Sequence, residues 1–118
     1  MTVPSPTKHM RDLCKELGPK YDIRVIDLEN VIYRNLGNGF DVEISGMDTS
    51  SLKKRATIYL WSKGGGILKI IEDVPQSNIG DIVEELNYLS KKLDPNGQYP
   101  ELRESNTKQS LTRNLQKY

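Results

Sequence analysis

Apolar and polar positions change their period along this chain, and each change marks an element. Met10, Leu13, Cys14 and Leu17 recur at helical spacing between Ser5-Pro6, a good helix start, and Gly18-Pro19, which ends the run. From Tyr21 the texture becomes that of strand: Ile23, Val25 and Ile26 lead to Val31, Ile32 and Tyr33. This reads as one long bent strand, or as two short ones broken near Leu28-Glu29-Asn30. Asn38-Gly39 then favours a tight hairpin turn, because both residues tolerate positive φ. A two-residue turn there sets Tyr33 opposite Ile44 and Arg34 opposite Glu43, with Phe40, Val42 and Ile44 pointing inward.

The second hairpin lies at Lys53–Val74, where two β-rich runs flank Gly64-Gly65-Gly66. Alternation puts Ala56, Ile58 and Leu60 on one side and Arg55, Thr57, Tyr59, Trp61 and Lys63 on the other. A three-residue glycine loop sets Leu60 across from Ile70 and Trp61 from Lys69. A two-residue turn shifts that register by one and mixes the two sides. Beyond Pro75-Gln76-Ser77, the residues Ile79, Ile82, Val83, Leu86, Leu89 and Leu93 form one helical stripe, closed by Asp94-Pro95-Asn96-Gly97. The expected fold is α+β: an N-terminal helix, about four antiparallel strands in two hairpins, and a C-terminal helix on one face. Residues 1–94 form the single domain and 95–118 a polar, flexible tail. Within that tail Leu111, Leu115 and Tyr118 are spaced as on one helical face.

Composition narrows the classes of function. The 118 residues carry 28% charged side chains and a mean hydropathy of -0.61. One cysteine, Cys14, excludes an internal disulfide and a thiolate zinc cluster. The single histidine, His9, has no ligand-spaced neighbours and no triad context, so neither a metal site nor a hydrolase is expected. No cofactor is called for. No apolar run reaches membrane-spanning length and no secretion signal opens the chain, so a cytoplasmic protein without a membrane partner is expected.

The net charge of +1 conceals a segregation: residues 51–71 hold five basic and no acidic side chains, and both flanking segments are acidic. With two helices covering one side of the sheet, the other side carries Arg55, Tyr59, Trp61, Lys63 and Lys69, the primary candidates for partner binding. Aromatic and basic side chains on a sheet stack bases and meet phosphates. They equally anchor protein interfaces, or do nothing beyond structure. The three glycines lack the Gly-Lys-Ser/Thr sequel of a phosphate loop.

The run Asp41-Val-Glu-Ile-Ser-Gly-Met-Asp48, leading through a serine-bearing loop to two strands and a helix, resembles the small prophage-encoded anti-CRISPR proteins that inhibit a CRISPR nuclease. The likeness covers residues 10–93 in pattern and rests in detail on Ser45-Gly46 and Asp48. It implies a helix, a short antiparallel sheet and a second helix, and a non-catalytic inhibitor that occludes a host nuclease complex. That family is strongly acidic and imitates DNA, whereas this chain is nearly neutral with a basic hairpin, so its contacts do not carry over. Asp41, Glu43 and Asp48 are the acidic counterparts to watch. The expected function is a non-enzymatic protein that occludes a protein or protein–nucleic-acid complex. A single-stranded nucleic-acid binder and a small structural or homodimeric subunit are the alternatives.

Overall fold

The computed structural model describes residues 3–49 and 54–105. Helix α1 spans Lys8–Leu17, and its N-cap is Thr7, whose hydroxyl accepts from the Met10 amide, two residues later than the Ser5-Pro6 start expected. Strands β1 (Asp22–Ile26), β2 (Glu29–Gly37), β3 (Phe40–Ser45), β4 (Arg55–Trp61) and β5 (Ile67–Pro75) follow, then a short 3₁₀ turn and helix α2 (Ile79–Ser90). A sixth strand, β6 (Leu102–Ser105), completes the sheet in the order β1-β2-β3-β4-β5-β6. The sheet is therefore mixed and six-stranded rather than antiparallel and four-stranded. β1 and β2 are separate, and the tail expected to be free supplies β6, which runs parallel to β5.

Both helices pack on one side. Met10 and Leu13 from α1, and Ile79, Ile82, Val83 and Leu86 from α2, meet Ile32, Leu36, Phe40, Val42, Ile44, Ile58 and Leu60 in a single core. Leu17 approaches Gly80, so the helices lie side by side. This is the two-layer solution in which a sheet with one apolar face is covered by amphipathic helices.

The strand registers depart from simple alternation, for identifiable reasons. Asp27 and Leu28 take positive φ values of 51° and 64° in the tight β1–β2 turn. Asn38 and Gly39 turn as expected, but β2 bulges at Leu36, between Asn35 and Gly37. One extra residue on a strand moves everything beyond it by one step. Tyr33 therefore lies opposite Glu43, and Arg34 opposite Val42, which corrects the expected Tyr33–Ile44 and Arg34–Glu43 pairs. The bulge turns both Leu36 and Phe40 into the core, and Lys91, just past α2, donates to the freed Leu36 carbonyl. Arg34 points under α2, where it meets the Glu84 carboxylate and the Tyr21 hydroxyl.

The glycine hairpin closes around Lys63-Gly64-Gly65, a three-residue loop one position earlier than the expected Gly64-Gly65-Gly66. The Ser62 amide donates to the Gly66 carbonyl, the Gly65 amide donates to the Ser62 carbonyl, and Trp61 pairs with Ile67. A register shift follows at once, so Leu60 faces Lys69 and Tyr59 faces Ile70, instead of Leu60–Ile70 and Trp61–Lys69. Leu68 takes the core position, Lys69 turns to the helix side and Ile70 to the other. At the end of β3, Gly46 has φ +91° and approaches the Arg55 carbonyl so closely that a Cβ there would sit 2.8 Å away. Only glycine fits that crossing.

Candidate functional site

The sheet face turned away from the helices is built by cross-strand registry. Asp22, Tyr33, Glu43, Tyr59, Ile70 and Arg103 are successive partners, one from each of the six strands. Beside them, Asn35, Asp41, Trp61 and Ile67 form a second row. Directly opposed residues on a sheet have Cβ atoms about 4.5–5.5 Å apart, so the side chains of each row touch. Tyr33, Tyr59 and Trp61 are half-buried here, interleaved with Asp41 and Glu43.

The polar groups of this face are tied to its rings. The Tyr33 hydroxyl donates to Asp41 Oδ2 at 2.8 Å, and the Trp61 indole N–H donates to Glu43 Oε1 at 3.1 Å. The Arg24 guanidinium stacks over the Tyr33 ring, 3.7 Å from its centroid. Arg103 bonds Glu72 at 2.6 Å on β5, and Arg24 reaches Asp22 at 3.4 Å. Asp41 and Glu43 have no cationic partner among the described residues. Burial pushes the Glu43 carboxyl above the usual range, against the lowering effect of the Trp61 bond, and the nearby carboxylates of Glu29, Asp27 and Asp41 push the same way. Burial, with the bond to Asp41, also raises the Tyr33 hydroxyl.

The sign of the Glu43 effect gives a testable result. A carboxyl whose folded pKa is raised adds stability below its unfolded pKa, and that stability is lost as pH rises through the folded value. Glu43→Gln keeps an acceptor for Trp61 and removes the charge. Its thermal midpoint relative to the native chain is expected to be highest at pH 7 and to fall as both are measured toward pH 4. A difference that stays constant between those pH values contradicts the assignment.

The sequence-based candidates scatter. Tyr59 and Trp61 lie centrally on the face, and Asp41 and Glu43 share it. Arg55 is exposed at the start of β4 and pairs with Asp73 at 3.5 Å. Lys63 is exposed in the glycine loop. Lys69 is on the helix side, 4% exposed, with Glu104 at 3.3 Å. Asp48 is structural: it accepts from the Thr7 amide at 2.8 Å and the Asn30 side chain at 3.0 Å, fastening the start of α1 to the sheet. Burial alone would raise its carboxyl, but those donors outweigh burial and hold it below the usual range. The basic face expected from alternation thus dissolves, and an aromatic–carboxylate face stands in its place. Tyr33 was missed, because only the Leu36 bulge turns it to this side.

Compared with protein-family models, curated proteins and solved structures, the chain matches none. Function therefore rests on geometry. Among the described residues no group of three or more His, Cys, Asp or Glu is placed to hold a metal ion. No helix among them is long and apolar enough to cross a membrane.

Proposed function

We propose that this protein is a non-catalytic binding module whose helix-free sheet face docks a cationic surface of a protein partner. The observation that carries this reading is the pair Asp41 and Glu43, set among Tyr33, Tyr59 and Trp61 with no cationic partner among the described residues. Carboxylates beside aromatic rings suit arginine and lysine side chains, through charge-assisted hydrogen bonds and cation–π contact together. Tyrosine and tryptophan also lose little rotamer freedom on binding, which is why they anchor interfaces. A single-stranded nucleic acid would bring its phosphates against the same two carboxylates, and the lysine meant to meet them, Lys69, faces the helices. An inhibitor that occludes the basic surface of a host nuclease, as the anti-CRISPR resemblance suggests, is the concrete form of this reading.

Affinity capture from the native cell tests it. The immobilised chain is expected to retain a basic protein whose binding weakens with added salt. The folded Tyr59→Ala/Trp61→Ala variant is expected to lose it by roughly 30-fold or more, the effect of losing about 2 kcal/mol, which one central aromatic anchor alone can contribute. Equal capture by the two chains contradicts the reading.

A further inference from the structure

Strand β1, Asp22–Ile26, is one edge of the sheet, and no strand among the described residues pairs with its outer side. Asp27 and Leu28 form the whole β1–β2 loop, both at positive φ, so the hairpin closes on a hydrogen-bonded Ile26–Glu29 pair. Ladder bonds in an antiparallel pair alternate, so Arg24 and Asp22 bond to β2 as well. The amides and carbonyls of Ile23 and Val25 therefore point away from the sheet. Edges are ordinarily blunted by a bulge, a proline or repelling charge. β1 has neither bulge nor proline, and its two charged residues, Asp22 and Arg24, are opposite in sign. The other edge, β6, is four residues long, and its Arg103 and Glu104 are engaged by Glu72 and Lys69.

We propose that β1 pairs antiparallel with β1 of a second copy, making a dimer through one continuous sheet. The strand is self-complementary in the register centred on Ile23. There Ile23 meets its own copy as a hydrogen-bonded pair, which its outward backbone groups allow. Asp22 then lies opposite the second copy's Arg24, and Arg24 opposite the second copy's Asp22. In the single chain these side chains are 63% and 52% exposed, joined to each other by a 3.4 Å contact. Tyr21, just before the strand, comes opposite Val25, which is otherwise 55% exposed, and an aromatic beside a β-branched residue is a favourable pair. The neighbouring register, centred on Arg24, sets two arginines face to face and is disfavoured. Residues 20–26 of each copy make a seam smaller than a standard interface, which fits a reversible dimer. The occupant is a second copy and the surface an edge, so the proposal stands apart from the docking role of the face. It sets two helix-free faces side by side, because residues opposed across a sheet point to the same side.

Sedimentation velocity of the full chain reads the result directly. Between low micromolar and near-millimolar chain, the mass is expected to rise from one 13.4 kDa chain toward twice that value. Arg24→Asp sets aspartate opposite Asp22, and Asp22→Arg sets arginine opposite Arg24. Each variant alone is expected to dimerise at least about tenfold more weakly, since two attractive pairs become repulsive. An equal mixture of the two variants restores opposite charges at both positions and is expected to dimerise as the native chain does. Matched circular dichroism shows that both variants are folded. A native chain that stays monomeric across the range overturns the proposal. So do variants that dimerise as tightly as the native chain, or a mixture that stays monomeric.

Discussion

Phe40→Ala is expected to remove about 3–5 kcal/mol of stability, the range for truncating a buried phenylalanine. Domains of this size have roughly 5–15 kcal/mol in all, so the variant should unfold at much lower urea, with an unchanged slope. The effect is large because Phe40 is 1% exposed and stands where three constraints meet. It follows the Asn38-Gly39 turn, pairs with Gly37, and fills the space beside the bulged Leu36. A loss under about 1 kcal/mol would mean that this end of the core is not packed as described.

Lys69→Ala should act on stability and leave partner capture intact. The ammonium is buried on the helix side with Glu104 at 3.3 Å, and Glu85 of α2 feels its charge. Removing it takes a compensating positive charge away from both carboxylates. Glu104 retains a fifth of its exposure and can rehydrate, so the cost falls near 1–3 kcal/mol rather than at the upper end for a broken buried pair. Lys69→Met, which refills the volume, is expected to be more stable than Lys69→Ala. Chemical denaturation ranks the three chains, and capture at a temperature where all are folded separates the two roles. Loss of capture in folded Lys69→Ala would return this residue to the docking surface.

These two residues also show how far the sequence could be read. Phe40, Val42 and Ile44 alternate behind an Asn-Gly turn, and their inward placement follows from the pleat alone. The α2 stripe was equally legible, since Ile79, Ile82, Val83 and Leu86 repeat at helical period and are buried as a set. What escaped was every feature that depends on a single inserted residue. The bulge at Leu36, beside Gly37 with its positive φ, turned Tyr33 outward, and the register shift between Leu60 and Trp61 turned Lys69 inward; the second has no glycine or proline at Leu68 to announce it. Leu28 holds a positive φ that leucine seldom adopts, which left the break near Leu28-Glu29-Asn30 as only one of two readings, the one the structure shows. β6 escaped because Leu102–Ser105 has one apolar residue in four, and its strand character comes from pairing with β5. The docking face was consequently half legible. Its aromatic anchors Tyr59 and Trp61 and the carboxylates Asp41 and Glu43 could be named, but their being neighbours is a property of register.

Photo-crosslinking from the two sides of the sheet is the sharpest measurement. A p-benzoylphenylalanine is placed at Thr57, beside Tyr59 on the helix-free face, or at Tyr88, which is 60% exposed on α2. With the captured partner present, irradiation should produce an adduct of added mass from position 57 and none from position 88. Adducts from position 88 alone would mean that the helices meet the partner and that the aromatic–carboxylate face does not.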